Sequence, residues 1–371
     1  MSKDIENITF IKAEVTMNYI TKKSNAIKVL VVDDSAFMRK VLSDIIEADI
    51  SLTVIGTATD GKDALSKISL LNPDVITLDV EMPVMDGINC LREIMMKSPK
   101  PVIMISSGTS YGAELTIKAL DEGAVDFIAK PKNIFDIKNE KARSEIIEKI
   151  TVAHNIGKKS YKSYNNSDIV KSVNKNNVLK YIIAIGCSTG GPKALQSVVP
   201  NLPENLPAAV LIVQHMPPGF TNTLAERLDA KSKVVVKEAT NKEKLLAGHV
   251  YIAPGDYHML LETSTNGDIL INLDKSSPVG GHRPSVDVMM NSLSDTGFKN
   301  IIGVILTGMG ADGSIGVKKL KDINKGFIIA QDEDSSVVYG MPKMAFQTGA
   351  VDKVVSLSKI TDEIIQFLEV R

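Results

Sequence analysis

The stretch Tyr181-Ile182-Ile183-Ala184-Ile185-Gly186-Cys187-Ser188-Thr189-Gly190-Gly191 runs from an apolar, β-rich segment straight into a glycine-rich turn, and Pro192 opens a helix-like segment behind it. A short apolar run, a glycine turn and then helical periodicity read as the opening strand, turn and helix of a parallel α/β sheet. The turn itself has three open readings. Its backbone N–H groups can cradle a phosphate, its G-x-S-x-G spacing can expose Ser188 as a nucleophile, or its glycines can let the strand pack closely on a helix. The dinucleotide fingerprint G-x-G-x-x-G is absent.

Downstream, strand-like runs at 208–213, 250–253, 268–273, 301–306 and 326–330 are separated by helical stretches and Gly/Pro turns. They extend the α/β pattern, with 250–273 expected as an antiparallel hairpin excursion. Upstream, residues 158–177 are rich in Lys, Asn and Ser and lack the apolar content that offsets chain ordering. The segment 151–177 is therefore expected to be a flexible, solvated linker, and 178–371 a second domain. Before it, the runs Ile27–Val32, Thr53–Gly56, Val75–Leu78, Val102–Ile105 and Asp126–Ala129 alternate with helix-like segments at 36–47, 62–70, 88–97 and 112–122. Five βα units over 27–150 make a doubly wound, flavodoxin-like domain. Residues 1–26 are polar and aperiodic and are expected to form a loose arm, within which Met17 offers an alternative start. The fold class expected is α/β with two domains, the second mainly parallel with an antiparallel hairpin.

Composition agrees and narrows the function. A chain of 371 residues suggests two or three domains at roughly 150 residues each. A formal charge of −1 supplies no field for nucleic acid or an anionic membrane. Two cysteines exclude a disulfide framework and a thiolate metal cluster. No run approaches the roughly 18 apolar residues of a membrane span, and the first residues lack the basic-then-apolar layout of a signal peptide. A cytoplasmic protein, neither membrane-embedded nor bound to nucleic acid, is expected.

In a doubly wound sheet, ligands collect beyond the carboxyl ends of the strands. Asp33 and Asp34 follow the first strand and Asp79 the third, so three carboxylates meet where only a cation relieves their repulsion. Oxygen ligands alone suit Mg²⁺. Ser106 and Lys130 follow the fourth and fifth strands. A carboxylate flanked by Mg²⁺, a hydroxyl and an ammonium is arranged to accept a phosphoryl group. Singly, Asp34-Ser35 could cap a helix, Asp79 could cap a turn and Lys130 could be a solvent lysine; the argument rests on their joint placement. Over 27–145 the sequence resembles the response-regulator receiver family, through Val31-Val32-Asp33-Asp34-Ser35, Leu78–Gly87, Ser106-Ser107 and Ala129-Lys130-Pro131. That resemblance implies Asp79 as phospho-acceptor. It also implies Asp33 and Asp34 with the Glu81 carbonyl completing the Mg²⁺ site, Ser106 and Lys130 engaging the phosphoryl group, and Phe127 at an aromatic switch position.

A serine nucleophile needs a base, and the base an orienting acid. Among the five histidines, His154, His215, His249, His258 and His282, only His215 ends an apolar strand-like run directly before a Pro-rich loop. Asp312 lies in Thr307-Gly308-Met309-Gly310-Ala311-Asp312-Gly313 after another strand, and the N–H groups of that loop could hold an oxyanion. The order Ser, His, Asp differs from that of α/β-hydrolases, chymotrypsin and subtilisin. Cys187 is the rival nucleophile, but only the middle residue of an elbow is thrust outward, so it is expected to pack inward.

Over nearly its whole length the second domain resembles the catalytic domain of the chemotaxis protein-glutamate methylesterase (CheB) family. The matching stretches are Ile185–Pro192, Gln214-His215-Met216-Pro217, Tyr251–Gly255, His282–Asp287 and Thr307–Gly313. The resemblance implies Ser188 as nucleophile, His215 as base, Asp312 as orienter, an oxyanion N–H from Met309, and Thr189 and His282 lining the site. It further implies methyl-accepting chemoreceptors as substrate, glutamine deamidation as a second activity, no cofactor in the esterase site, a chemotaxis histidine kinase as phosphodonor, and an unphosphorylated receiver that covers the active site. Two rivals stand beside it: a non-catalytic binding module regulated by phosphorylation, and a general esterase of small esters.

Overall fold

The computed structural model describes residues 26–130, 140–156 and 178–370. The expected arm up to residue 25 and most of the expected linker lie outside the described residues. The chain divides into two compact units, each built on one parallel sheet.

The N-terminal part of the chain alternates β1 (Ile27–Val32), α1 (Ala36–Glu47), β2 (Leu52–Ala58), α2 (Gly61–Leu71), β3 (Val75–Asp79), α3 (Gly87–Lys97), β4 (Val102–Ser106), α4 (Ser110–Asp121) and β5 (Asp126–Ala129), followed by α5 (Glu140–Ile156). The strand order is β2-β1-β3-β4-β5, all parallel. β3 and β4 are buried at every residue, because helices cover both faces of such a sheet. α1 packs against α5, and α2 against α3. Helix starts follow local chemistry: the side chains of Ser35, Asp60 and Asp86 accept from N–H groups of the first turns of α1, α2 and α3. α5 runs past the boundary expected at 150 and ends at Ile156.

The second unit contains β6 (Tyr181–Cys187), α6 (Gly191–Val198), β7 (Ala208–Gln214), α7 (Phe220–Lys231), β8 (Val235–Glu238), β9 (His249–Ile252), β10 (His258–Thr263), β11 (Ile269–Asp274), α8 (Val286–Asp295), β12 (Ile301–Ile305), α9 (Ser314–Asn324), β13 (Phe327–Gln331), α10 (Met341–Gln347), β14 (Lys353–Val355) and α11 (Ile360–Val370). Seven strands form one parallel sheet in the order β14-β13-β12-β6-β7-β9-β8. β6 and β7 are wholly buried. α8 packs on α9 and on β6, while α6 packs on α7.

The hairpin is narrower than the sequence suggested. β9 joins the parallel sheet between β7 and β8, and among the described strands β10 and β11 pair antiparallel, as a separate ribbon. β8 carries a weak sequence signal because Val235-Val236-Lys237-Glu238 holds two apolar residues at a sheet edge, where one side of the strand needs no cover. Among the described residues, no helix is long and apolar enough to cross a membrane.

Candidate active site

In each sheet, strand order reverses beside the first strand, and ligands bind in the crevice outside the carboxyl ends at that point. In the second unit the first strand is β6, flanked by β12 and β7. Ser188 follows β6, His215 follows β7, and Asp312 sits in the loop between β12 and α9. Three residues from distant parts of the sequence thus share one edge of one sheet.

His215 Nε2 lies 2.8 Å from Asp312 Oδ2, with both side chains nearly buried. The carboxylate has three further donors: Ser285 Oγ at 2.8 Å, Val286 N–H at 2.7 Å and Asp287 N–H at 2.9 Å. Burial alone would raise the Asp312 carboxyl. The hydrogen bond and charge of His215, with the N–H groups of Asp287 and Val286, outweigh it and bring the value down to about 2. Asp312 is therefore an anion at neutral pH and Nε2 is the protonated ring nitrogen. His215 Nδ1 is buried and has no partner among the described residues. The assignment is the reverse of the common triad, in which Nδ1 faces the carboxylate. The His282 ring stacks on His215, with centroids 3.9 Å apart and planes within 5°.

Asp312 and Asp287 cross over. Asp312, just before α9, accepts from the first residues of α8, and Asp287, in the first turn of α8, accepts from Gly316 N–H of α9 at 2.7 Å. Each carboxylate sits at the positive end of the other's neighbouring helix. Burial, opposed by the Gly316 hydrogen bond and reinforced by the Asp312 charge, pushes Asp287 up to about 6.

The glycines around Ser188 divide by task. Gly190 has φ 76°, in the left-handed region, and makes the turn into α6. Gly186 is still within β6 and does not turn the chain. A Cβ there would lie 2.4 Å from Val286, so its role is close packing of strand against α8. Cys187 packs inward as expected: it is fully buried, its Sγ is 3.7 Å from Val213 O, and burial pushes its thiol far up. The Ser188 N–H is tied to Thr307 O at 3.1 Å. Thr189 is buried, and its carbonyl accepts from Thr307 Oγ1 at 2.9 Å. Met309 is half-buried on the loop after β12, and its N–H has no acceptor among the described residues.

In the first unit the crevice lies between β1 and β3. Oxygens of Asp33, Asp34 and Asp79 come within 4.8 Å of one another. Asp33 and Asp79 are buried, and Asp34 is exposed. Lys130 Nζ bridges Asp79 Oδ2 at 2.7 Å and Asp33 Oδ2 at 3.0 Å. Burial is the largest influence on Asp79; with the charge of Asp33 it overcomes the Lys130 hydrogen bond and raises the carboxyl to about 6. Among the described residues, Lys130 against three carboxylates leaves a deficit of positive charge that a divalent cation fits. Glu81 N–H reaches Asp79 Oδ1 at 3.4 Å, Ser106 is buried at the end of β4, and the buried Phe127 ring lies beneath Lys149 Nζ at 5.2 Å. The alternative reading of Asp34-Ser35 as a helix cap is half right: Ser35 Oγ caps α1 by accepting from Met38 N–H at 3.4 Å, while Asp34 is left free of that task.

Several supporting residues had no role in the sequence reading. Arg39 donates to the main-chain carbonyls of Asp33 and Asp34 at 2.7 and 2.9 Å, bracing the acidic pair from the next helical turn. Ser285 and Asp287 belong to a stretch that carried the family resemblance, but nothing in their spacing points at Asp312. Gln331 Oε1 accepts from Thr307 N–H at 2.8 Å and so fixes the start of the loop that bears Met309.

A family model described as CheB methylesterase matches residues 183–364, and one described as response regulator receiver domain matches residues 29–140. A protein-glutamate methylesterase/protein-glutamine glutaminase 1 of Syntrophomonas wolfei is 47% identical over 350 residues, spanning 92% of this chain and 99% of that protein. A protein-glutamate methylesterase/protein-glutamine glutaminase of Halalkalibacterium halodurans is 49% identical over 343 residues, spanning 92% and 98%. The crystal structure of the Thermotoga maritima CheB methylesterase catalytic domain is 46% identical and covers 50% of this chain and 97% of that one, with a TM-score of 0.48.

Proposed function

The chain belongs to the CheB methylesterase family, and from that premise we propose that it hydrolyses glutamate methyl esters on chemoreceptors through Ser188, His215 and Asp312, under control of phosphorylation at Asp79. It is an enzyme of the protein-glutamate methylesterase and protein-glutamine glutaminase type, with a receiver domain ahead of the catalytic one, and it fits chemotactic adaptation. The observation that carries the assignment of the site is the His215–Asp312 pair at 2.8 Å on the sheet edge where Ser188 begins its turn.

Ser188 Oγ attacks the γ-carbonyl carbon of the ester and passes its proton to His215 Nδ1, the ring nitrogen that Asp312 leaves available. Asp312 stays ionised and holds the imidazolium by its Nε2–H. The oxyanion is received by the Met309 N–H, and Thr189 and His282 line the site. His215 then returns the proton to the departing methoxide, which leaves as methanol. A water gives a proton to His215 and attacks the acyl-enzyme, the bond to Ser188 Oγ breaks, and His215 returns that proton to Ser188 Oγ as glutamate leaves. With a glutamine side chain the leaving group is ammonia.

Asp79 is the proposed phospho-acceptor, phosphorylated by a chemotaxis histidine kinase. Asp33, Asp34, Asp79 and the Glu81 carbonyl would hold Mg²⁺, which when bound offsets carboxylate and phosphoryl charge. Lys130 already pairs with Asp79 and is placed to follow the phosphoryl oxygens; Ser106 is the hydroxyl partner. Phe127 then shifts as the switch that relieves inhibition of the second unit.

Methanol release from methylated receptor membranes tests the nucleophile. Ser188→Ala is expected to lower kcat by about 10⁶-fold, the scale seen on removal of a serine nucleophile. Cys187→Ala is expected to keep most of the activity. A dead cysteine variant beside an active serine variant would reverse the assignment.

A further inference from the structure

We infer that Gln214 is a positioning residue for the hydrolysis, setting the spacing of nucleophile and base by donating one side-chain amide to the main-chain carbonyls of both. This rests on the roles given above to Ser188 and His215. β6 and β7 pair to their last residues, Cys187 opposite Gln214, and the final rung is His215 N–H to Cys187 O at 3.2 Å. Beyond that rung each chain enters its own loop. Ser188 N–H turns away to Thr307 O, and among the described residues no main-chain hydrogen bond joins Ser188 to His215. Gln214 Nε2 closes the gap, 3.0 Å from Ser188 O and 3.2 Å from His215 O.

Two features separate this from ordinary core packing. Gln214 is 2% exposed, and its Oε1 is buried without a partner among the described residues. A buried amide oxygen left unpaired is destabilising, and an apolar side chain of similar volume would avoid it. The reverse amide orientation would set that oxygen against two carbonyl oxygens, so the network fixes which end donates. The second feature is Gly191. A Cβ there would lie 1.9 Å from Gln214 Oε1, so the last glycine of the turn makes room for this amide. Two separate parts of the chain are shaped around one group whose donors serve both proposed reacting residues. Displacement of reacting groups by about 1 Å can cost 100-fold in rate, so such a clamp reads out in kcat.

The test uses the full-length protein and Gln214→Met, which keeps length and removes both donors. The expected result is a kcat for methanol release lowered about 10- to 100-fold at unchanged KM. The rate of Ser188 modification by a small fluorophosphonate should fall by the same factor, per mole of folded protein, with the thermal midpoint unchanged or higher. Gly191→Ala, which leaves every proposed reacting side chain in place, should reproduce the loss by crowding the amide, and the double variant should fall short of the product of the two losses. A kcat within twofold of wild type in Gln214→Met overturns the inference. Should that variant not fold, wild-type fluorophosphonate reactivity in Gly191→Ala overturns it instead. Ser188→Ala runs alongside: if it stays active, the reading of the nucleophile has failed, whereas if it is dead and Gln214→Met is normal, only the clamp has failed.

Discussion

Asp79 and Asp312 hold comparable places in their two sheets, Asp79 as the last residue of β3 and Asp312 in the loop after β12, each strand bordering the reversal of strand order. Their surroundings differ in one respect that decides their chemistry. Asp312 accepts four hydrogen bonds, from His215, Ser285, Val286 and Asp287, and is held down to about 2. Asp79 faces Asp33 and Asp34 with Lys130 as the ion-pair partner and is pushed up to about 6. The second unit has completed its electrostatics in advance, which suits the proposed role of stabilising a transition state without reorganising. The first has left its electrostatics incomplete, as suits a site that must accept a cation and a phosphoryl group and respond to them. On the proposed function, the same edge of the same kind of sheet would serve catalysis in one unit and switching in the other, according to how many donors reach one carboxylate.

The largest effect that could break this contrast is at Asp312. Asp312→Asn keeps the shape but gives up the charge and the clear tautomer preference, and kcat for methanol release is expected to fall about 10⁴-fold. A loss under tenfold would mean that the four-donor carboxylate is a structural cap and no orienter. Next in size is the cation requirement of the other site. Chelation of divalent ions should abolish the stimulation given by a small phosphodonor and leave basal esterase unchanged; loss of basal activity on chelation would place a metal in the wrong unit.

The smallest effect sharpens the comparison most, because the two carboxylates should respond to pH with opposite sign. Asp312 has a depressed folded value, so its stabilisation is full above about 4 and is lost as pH falls toward about 2. Asp79 has a raised one, so its favourable contribution is full below about 4 and is lost as pH rises through about 6. Each amounts to something on the order of 2 kcal/mol. In metal-free buffer, the thermal midpoint of Asp79→Asn relative to wild type should rise between pH 5 and pH 7. That of Asp312→Asn relative to wild type should rise between pH 4 and pH 2. Parallel curves for variant and wild type would remove the electrostatic difference on which the contrast rests.

Much of this could be read in advance, and the reason is geometric. In a parallel sheet, a polar residue at the end of an apolar run lies at the ligand-binding edge, so the placement of Asp33, Asp79, Ser106, Lys130, Ser188 and His215 at strand ends is legible in the sequence. Asp312 was less direct, since a loop separates it from β12, and its selection leaned on the glycine-rich spacing around it. What escaped were residues whose importance depends on through-space contacts. Gln214 looks like the last residue of a strand, and Ser285 and Asp287 look like an ordinary helix start. Gly186 and Gly191 seemed to be turn residues, whereas one makes room for Val286 and the other for Gln214. β8 and β14 are not legible in the sequence because edge strands bury little and so carry a weak apolar signal.

The central claim, that hydrolysis at Ser188 answers to Asp79, is tested most directly by methanol release from methylated chemoreceptor membranes, with and without a small phosphodonor and Mg²⁺. Wild type should be stimulated, Asp79→Asn should keep its basal rate without stimulation, and Ser188→Ala should release no methanol under either condition. Full stimulation of Asp79→Asn, or phosphodonor-dependent release by Ser188→Ala, would contradict it.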